Sequence, residues 1–330
     1  MAAIPALDAL LASARVVRIP LRVRFRGLVE REALLFEGPC GWGEFAPFLE
    51  YDEVESARWL AAAVEAAYAA WPAPRRTSVP VNATVPAVAP GAVEAVLRRY
   101  DGCATAKVKV AEAGQALADD VARVAEVRAL LGPAGRVRVD ANGAWSVAEA
   151  TEALGRLAAY DLEYAEQPCA TVEELTTLRV TLARNGIDVP IAADESVRKA
   201  ADPLRVARQR AADILVVKVA PLGGVRPALA IAGECGLPVV VSSALDSSVG
   251  IAAGAALAAA LPELPYACGL GTTQLLAGDV VAQPLAARAG SLPVRRVHPD
   301  AALLRQWQAP PVRQAWWRDR LRRSFEVLDG

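Results

Sequence analysis

Three acidic residues recur at nearly constant spacing in the middle of the chain, and each closes a short apolar run. Asp140, Glu166 and Asp194 are separated by 26 and then by 28 residues. Taken singly, each acid is also compatible with a helix cap or with pairing to an arginine. Three carboxylates brought together would repel one another strongly unless a divalent cation neutralised them. Because oxygen ligands without His or Cys favour a hard ion, the pattern predicts a site for Mg2+ first and Mn2+ second.

Lysine is rare in this chain, which makes its positions informative. Of the 36 lysine and arginine residues only four are lysine, namely Lys107, Lys109, Lys199 and Lys218. Lysine can act as a base when its pKa is lowered, whereas arginine stays protonated. Any one of these positions is also compatible with chance and codon usage. Lys218 lies in an apolar run, where an unpaired cation is costly, so a functional position in the interior is favoured for it.

The lysines flank the acids along the chain, and this order indicates a chemistry. Strand alternation places Lys107 and Lys109 on one face, ahead of the acids, and Lys218 follows the acids. A metal ion can hold a substrate carboxylate and stabilise the enediolate that forms when the α-proton leaves. A lysine can take that proton if its pKa falls by about 3 units from ~10.4, which burial and nearby positive charge can supply.

These side chains can act together only if the fold places them at the same end of one sheet. From position 79 onward, short apolar runs alternate with helix-like segments. The predicted strands are 79–85, 106–110, 137–140, 162–166, 190–194, 214–219, 238–242 and 266–270. Such alternation implies parallel strands with right-handed crossovers, and this number of strands favours a closed TIM-type barrel. An open dinucleotide-binding sheet is disfavoured because no glycine fingerprint follows the first strand.

In such a barrel the carboxyl ends of the strands meet at one mouth. The three acids and the flanking lysines all fall at predicted strand ends, and so does Ser242-Ser243. The sequence therefore predicts that these side chains surround one pocket.

A smaller module precedes the barrel. Residues 16–36 alternate β-branched residues with arginine, which predicts two antiparallel strands joined by a turn near Arg26-Gly27. A predicted loop over 38–52 and a predicted helix over 53–70 follow. The aromatic residues of the loop either cap the pocket or pack between domains; they are Trp42, Phe45, Phe48 and Tyr51. The fold class is thus α/β, a TIM-type barrel with an N-terminal α+β capping domain.

The predicted domains are 1–78 for the capping domain, 79–294 for the catalytic barrel, and 295–330 for a C-terminal tail. We expect the tail, which is rich in arginine and tryptophan, to pack on the capping domain or the barrel.

Composition excludes several classes of protein. The 330 residues are 54% hydrophobic and 22% charged with a net charge of −1, which argues against disorder, nucleic-acid binding and anionic membranes. No apolar run is long enough to span a bilayer, and no secretory signal is recognisable, so a cytoplasmic protein is expected. One histidine, His298, and five scattered cysteines leave no basis for a histidine triad, a zinc site or a disulfide framework.

The site residues together resemble the muconate-lactonizing-enzyme subgroup of the enolase superfamily. The motifs that carry the resemblance are Lys107-Val108-Lys109, Asp140-Ala141-Asn142, Glu166-Gln167-Pro168, Asp194-Glu195-Ser196 and Lys218. This resemblance implies a capping domain and a (β/α)7β barrel over nearly the whole chain. Within the subgroup, residues 217–224 (VKVAPLGG) and 242–250 (SSALDSSVG) resemble the o-succinylbenzoate synthase family of actinobacterial type.

The resemblance implies a lyase of menaquinone biosynthesis that removes water from 2-succinyl-6-hydroxy-2,4-cyclohexadiene-1-carboxylate. It implies Lys109 as the base, tuned by Lys107, with Lys218 as a cation on the opposite face. It further implies the roles of the remaining polar residues: Asp140, Glu166 and Asp194 as Mg2+ ligands, Asn142 and Glu195 behind them, and Ser242 and Ser243 on the carboxylates of the substrate.

Two alternatives stay open from the sequence. An N-succinylamino acid racemase of the same subgroup would use the same residues, with Lys109 and Lys218 as acid and base on opposite faces. A metal-binding barrel without catalytic activity is the second alternative. In either enzymatic case the partner is a small carboxylate-bearing molecule, and the sequence leaves monomer or homo-oligomer undecided.

Overall fold

The computed structural model of the chain describes residues 4–198 and 202–329. Lys199, one of the four lysines, lies outside the described residues. None of the helices within the described ranges combines the length and the apolar character that crossing a membrane requires.

An antiparallel three-stranded sheet begins the fold, after helix α1 (Leu7–Ser13). Its strands, in spatial order, are β1 (Arg15–Phe25), β2 (Leu28–Gly38) and β3 (Gly41–Phe45). Phe25 pairs with Leu28, so Arg26 and Gly27 alone form the turn. Both have positive φ, 55° and 75°, as a type I′ hairpin turn requires. The predicted hairpin is confirmed, but the predicted loop over 38–52 is wrong in part because it contains β3.

Helix α2 (Glu53–Tyr68) covers this sheet. The side chain of Asp52 caps it by accepting a hydrogen bond from the backbone of Glu55 at 2.8 Å. A Cβ at Gly43 of β3 would lie 2.1 Å from the carbonyl oxygen of Ala63, so only glycine allows the helix to approach the sheet this closely.

Seven parallel strands follow and curl around one core. After β4 (Ser78–Pro80), the parallel strands are β5 (Ala83–Val85), β6 (Thr105–Lys109), β7 (Arg136–Asp140), β8 (Leu162–Glu166), β9 (Ile191–Ala193), β10 (Ile214–Lys218) and β11 (Val239–Ser242). Each pairs with its successor in the chain. Strand β12 (Ser291–Pro293) pairs with β4 outside this sheet.

The helices between the strands lie where the alternation of the sequence places them. They are α3 (Val93–Leu97), α4 (Leu117–Leu131), α5 (Val147–Leu157), α6 (Val172–Arg184), α7 (Glu195–Arg198), α8 (Arg205–Arg208), α9 (Val225–Glu234) and α10 (Ser248–Ala260). Ser146 and Thr171 cap α5 and α6 with capping boxes. Each hydroxyl accepts a hydrogen bond from the backbone N–H of the glutamate three residues later, and the side chain of that glutamate accepts one from the backbone N–H of the capping residue.

Isolated parallel bridges close the sheet into a barrel. Ser242 of β11 bridges to Gly269, and Val81, just before β5, bridges to Cys268. The segment around 268–269 therefore takes the place of the eighth strand of the barrel. We call this segment and the seven parallel strands the staves of the barrel. In this circle β6 and β10 are four staves apart in either direction, so their ends face each other across the mouth.

Two of the predicted barrel strands differ from the observed ones. The predicted strand over 79–85 is divided, because Pro80 belongs to β4 and pairs with Ser291 rather than with the barrel. The predicted strand over 266–270 is reduced to the two bridging residues. Proline and glycine at positions 265, 269 and 271 explain its shortness, since both residue types disfavour a continuous ladder.

The C-terminal segment forms helices α11 (Ala301–Gln306) and α12 (Pro311–Asp329). Helix α12 lies against α2. From α12 the buried Arg320 reaches the loop between β3 and α2, where its Nη2 donates to the carbonyl oxygens of Phe48 and Tyr51, both at 2.7 Å. The C-terminal helix thus fixes the backbone of this loop. The domain boundaries 1–78, 79–294 and 295–330 stay a prediction.

A buried carboxylate joins the N-terminal sheet to the barrel. Glu44 of β3 accepts hydrogen bonds from the Ser247 hydroxyl at 2.6 Å, the Ser247 backbone at 3.1 Å and the Gly250 backbone at 2.9 Å. Burial, with the nearby charge of Asp246, raises the pKa of Glu44 to about 7, although the Ser247 bonds and Arg31 oppose the rise. Glu44 therefore holds its proton more tightly in the folded chain than in the unfolded one.

We expect Glu44 to make stability depend on pH near neutrality. Since its folded pKa is raised, its contribution is fully present at low pH and is lost as the pH rises through about 7. Relative to Glu44→Gln, the free energy of unfolding of the wild type should grow by roughly 1 kcal/mol for each pH unit between 7 and 5. Urea unfolding at several pH values measures this difference. The exposed Glu50→Gln serves as control, and parallel curves for wild type and Glu44→Gln would contradict the prediction.

Candidate functional site

The carboxyl ends of the barrel strands carry the polar side chains that the sequence singled out. Lys107 and Lys109 lie at the end of β6, and Asp140, Glu166, Lys218 and Ser242 are the last residues of β7, β8, β10 and β11. Asp194 follows β9 directly. All are buried. Strand register aligns Lys109 with Asp140 and Asp140 with Glu166, so neighbouring staves present these groups side by side.

Lys107 bridges two of the acids. Its Nζ lies 2.6 Å from Oε1 of Glu166 and 3.0 Å from Oδ2 of Asp140. Burial lowers the pKa of Lys107, but the charges of Asp140 and Glu166 outweigh burial and hold it well above its usual value. Lys107 is therefore a fixed cation in this arrangement.

Lys109 has a different electrostatic environment from its neighbour. Its Nζ donates to Oδ2 of Asp140 at 2.6 Å and to the side-chain oxygen of Asn142. Burial lowers the pKa of Lys109 below its ordinary value; Asp140 opposes this and Lys107 adds to it. The ring of Phe25 lies over this ammonium group, 5.3 Å from Nζ to the ring centroid. Of the two lysines on β6, Lys109 is thus the one that releases its proton more readily.

Lys218 faces this pair from the opposite stave. Its Nζ donates to Oδ2 of Asp194 at 2.6 Å. Asp194 also has Arg198 beside it, with Nε of the guanidinium 3.3 Å from Oδ1. Two amines on β6 and one on β10 therefore flank the three acids of β7, β8 and the β9 end.

The three acids differ in their affinity for protons. Burial raises the pKa of Asp140 and of Asp194, but the adjacent lysines, Lys107 and Lys109 for the first and Lys218 for the second, lower both pKa values far more. Burial and the charge of Asp140 raise the pKa of Glu166 to about 7, against the opposing effect of Lys107. The middle acid is the least compensated of the three.

Two buried carboxylate oxygens of this set make no hydrogen bond, namely Oε2 of Glu166 and Oδ1 of Asp194. Asp194 Oδ1 has the Arg198 guanidinium 3.3 Å away as an ion pair, whereas no ion pair reaches Oε2 of Glu166. A buried carboxylate oxygen without a partner, in a site whose donors are all carboxylates, fits a hard divalent cation. In the described part of the chain, however, no group of three His, Cys, Asp or Glu side chains is arranged to hold a metal ion. The ammonium group of Lys107 instead contacts both Asp140 and Glu166.

Polar residues just beyond the strand ends orient this set. Asn142, with φ of 49°, accepts from Lys109 and donates from Nδ2 to Oε1 of Glu195 at 3.2 Å. Gln167 was not assigned a role from the sequence. Its Oε1 accepts from the backbone of Asp194 at 2.9 Å, and its φ of 40° is unusual for a glutamine. The departure from ordinary backbone geometry marks Gln167 as a residue that the site holds in place.

Ser242 and Ser243 border a cavity together with the lysines. The Ser243 hydroxyl donates to the carbonyl oxygen of Gly269 at 2.7 Å and lies 2.8 Å from the hydroxyl of Thr272. The cavity measures about 40 Å³, little more than the roughly 30 Å³ that one water molecule occupies.

Residues of the N-terminal sheet close the cavity from above. Phe25 and Arg26 of the β1–β2 hairpin line it, together with Phe48 from the loop after β3. Of the four aromatic residues named in the sequence for this cap, Phe48 alone lines this cavity. The others pack elsewhere: Trp42 against the main core, Phe45 against Trp317 of α12, and Tyr51 against Trp59 with its hydroxyl on Arg198.

The hairpin contribution and the role of Arg198 were missed from the sequence. A signal for the hairpin existed, because a two-residue turn with arginine ahead of glycine puts a long cation at an unusual backbone position. Nothing in the sequence indicated Arg198, whose Nη2 also pairs with Glu195 at 2.6 Å.

Comparison with known proteins agrees with this architecture. Residues 91–299 match the enolase C-terminal domain-like family, and residues 16–67 match the enolase N-terminal domain-like family. The fold is similar to that of the muconate lactonizing enzyme from Pseudomonas fluorescens complexed with muconolactone, with a TM-score of 0.74 at 21% identity. That similarity covers 90% of this chain and 98% of the other.

Two relatives have much higher sequence identity. The o-succinylbenzoate synthase of Mycobacterium tuberculosis is 57% identical over 326 residues, which are 98% of this chain and 97% of the relative. The o-succinylbenzoate synthase of Thermobifida fusca is 58% identical over 307 residues, covering 93% and 94%. From the domain matches and these relatives, the chain belongs to the enolase superfamily, in the group that includes muconate lactonizing enzymes and o-succinylbenzoate synthases.

Proposed function

We propose that this chain catalyses the o-succinylbenzoate synthase reaction of menaquinone biosynthesis. In this reaction 2-succinyl-6-hydroxy-2,4-cyclohexadiene-1-carboxylate loses water and becomes 2-succinylbenzoate. The chain is then a carbon–oxygen lyase that acts on a small dicarboxylate in the cytoplasm, with no nucleic acid or membrane as partner. The main support for this proposal is the placement of Lys109 and Lys218 on opposite sides of the barrel mouth, with three buried acids between them.

The reaction removes a proton from the ring carbon that bears the carboxylate and a hydroxyl from the next ring carbon. Lys109 as the neutral amine takes the α-proton, and the resulting ammonium returns a proton to the departing hydroxyl on the same face, so that water leaves and the ring becomes aromatic. Its environment supports this role, since burial and Lys107 favour the neutral amine. Ser242 and Ser243 would hydrogen-bond the carboxylates of the substrate.

Charge develops on the ring carboxylate as the proton leaves. Lys218 supplies a cation on the far face of the ring, and Lys107 supplies a second one beside the carboxylate. Asp140, Glu166 and Asp194 would hold Mg2+, or Mn2+ in second place, which when bound supplies positive charge for the enediolate. Asn142 and Glu195 would keep Lys109 and the acids oriented.

The direct test is turnover of the proposed substrate. Purified protein with Mg2+ should convert 2-succinyl-6-hydroxy-2,4-cyclohexadiene-1-carboxylate into 2-succinylbenzoate, identified by chromatography against the authentic product. Absence of this conversion in folded protein supplied with Mg2+ or Mn2+ would overturn the proposal.

Opposed lysines also suit an N-succinylamino acid racemase, which would remove the α-proton on one face and return a proton on the other. Incubation with N-succinyl amino acids in D2O tests this alternative by mass spectrometry and chiral analysis. Deuterium exchange and racemisation, with no dehydration of the cyclohexadiene substrate, would favour the racemase over the dehydratase.

Charge-preserving substitutions separate the roles of the two opposed lysines. Lys109→Arg keeps the charge but not the basicity, so dehydration should fall by about 10^2- to 10^4-fold while 2-succinylbenzoate still binds. Lys218→Arg should lower the rate of dehydration less than Lys109→Arg does, because a dehydratase needs only a cation at position 218. Steady-state kinetics and calorimetric binding of the product measure both. Equal losses in the two variants would point to acid–base work by both lysines, and turnover of Lys109→Arg within tenfold of the wild type would exclude it as the base.

Removal of divalent cations should abolish dehydration, and Mg2+ should restore it. A second measurement does not depend on activity: Mg2+ should raise the Tm of the chelated wild type, since a ligand that binds only the folded state stabilises it. Glu166→Gln, which keeps the shape of the side chain, should weaken this Tm shift. Full turnover after exhaustive chelation would be incompatible with the proposed metal dependence.

A further inference from the structure

The tip of the β1–β2 hairpin holds an arginine in a backbone conformation that favours other residues. Arg26 has φ of 55° at the first position of a two-residue type I′ turn. Asparagine, aspartate or glycine is preferred at this position: a Cβ comes too close to the backbone in the left-handed region, glycine has none, and the short polar side chains of the other two hydrogen-bond locally. Strained backbone positions concentrate where a side chain is needed for function. The strain draws attention to Arg26 because its side chain lines the central cavity.

The charges around the cavity set Arg26 apart from its neighbours. Five basic side chains of the described residues line the cavity. Lys107, Lys109, Lys218 and Arg198 each pair with at least one of the buried acids Asp140, Glu166 and Asp194. Within 4–198 and 202–329 no carboxylate pairs with Arg26, which makes it the cavity cation that remains available to an acidic ligand.

Stacking fixes where this guanidinium lies. Its central carbon is 4.4 Å from the centroid of the Phe48 ring, on the side of the cavity that the N-terminal sheet closes. Arg31 lies near the same ring, at 4.6 Å, and its guanidinium is already occupied by the carbonyl oxygens of Ala46, Ala244 and Leu245. Asp246 and Glu44 lie in the charge environment of Arg31, so Arg31 is already compensated. No ion pair of the described residues involves Arg26, so its charge is the one on the cap side that an anion would neutralise.

Phe25, the residue before Arg26, shows how close the hairpin tip lies to the proposed catalytic base. The Phe25 ring lies 5.3 Å from Nζ of Lys109, so the hairpin tip reaches over the proposed base. A ligand carboxylate on Arg26 would therefore belong to a part of the molecule on the cap side of the reacting carbon.

We propose that Arg26 binds the second carboxylate of the substrate, the one at the end of the succinyl chain. This inference rests on the proposed function, in which the ring carboxylate lies at the acids and lysines of the barrel. The substrate then carries one carboxylate for each of two cationic regions, the barrel mouth and the hairpin tip. Arg26 selects substrates that bear the distal acid, and its planar guanidinium suits a carboxylate better than an ammonium group would.

The test compares two ligands that differ only in the distal group. 2-Succinylbenzoate carries the second carboxylate, and 2-butanoylbenzoate has a methyl group in its place. Calorimetry with Mg2+ present measures their Kd values for wild type and Arg26→Met. Arg26→Met should raise the Kd of 2-succinylbenzoate about ten- to hundredfold, the range for a lost charged hydrogen bond. It should change the Kd of 2-butanoylbenzoate less than about threefold.

Control variants separate binding from folding and from general charge. Arg24→Met removes an exposed arginine from β1, two residues before Arg26, and should leave both Kd values unchanged. Arg26→Lys keeps the charge and should recover part of the lost affinity. Equal weakening of both ligands in Arg26→Met, or no weakening of either, would overturn the proposal. If the wild type dehydrates the substrate but Arg26→Met still binds 2-succinylbenzoate more tightly than 2-butanoylbenzoate by the wild-type ratio, the role of Arg26 is refuted and the proposed function stands. If the wild type neither dehydrates nor binds 2-succinylbenzoate, the proposed function fails and this inference with it.

Discussion

Charge neutralisation inside the barrel mouth is the constraint on which the rest of the structure depends. Three carboxylates and three ammonium groups are buried there, and strand register places Asp140 beside both Lys109 and Glu166. Each carboxylate is paired with lysine at 2.6 Å. Loss of one partner would leave a buried charge uncompensated, which is far more costly than loss of a surface pair. The same pairing holds Lys109 and Lys107 at different pKa values, although both lie on one strand face.

The cap over this mouth is held from several directions by buried polar contacts. Glu44 binds the start of α10, and Arg320 of α12 binds the loop that carries Phe48. The Tyr51 hydroxyl accepts a hydrogen bond from Arg198, which in turn pairs with Asp194 and Glu195. A change in this loop can therefore reach the acids of the barrel through one side chain. The C-terminal helix, remote from the mouth in sequence, takes part in the site through the backbone it fixes.

The barrel half of the site could be predicted from the sequence because strand period and chain order determine it. Parallel strands bring their carboxyl ends to one mouth, so Asp140, Glu166 and Lys218 could be placed without knowledge of any contact. The cap could not be placed in this way. Whether the tip of a hairpin or the loop after it covers the pocket depends on how two sheets pack, and no local pattern encodes that packing. Strand β3 was missed for a related reason, since its glycines suggest a loop unless a partner strand is known. The eighth strand was predicted over 266–270 but is limited to the bridging residues Cys268 and Gly269.

The two halves of the site use different kinds of positive charge, and this difference has a physical reason. Lysines lie at the barrel mouth, where a proton has to be taken or a compact charge has to approach the reacting carbon. An arginine lies at the cap, where permanent charge and planar geometry are useful and basicity is not. The lysines are bound in two groups of ion pairs: Lys107 and Lys109 pair with Asp140 and Glu166, and Lys218 pairs with Asp194. Arg26 belongs to neither group and stacks on Phe48. If Arg26 binds the distal carboxylate as proposed, a substitution at the hairpin tip alters which carboxylate-bearing molecule is accepted and leaves the ion pairs of the barrel lysines intact.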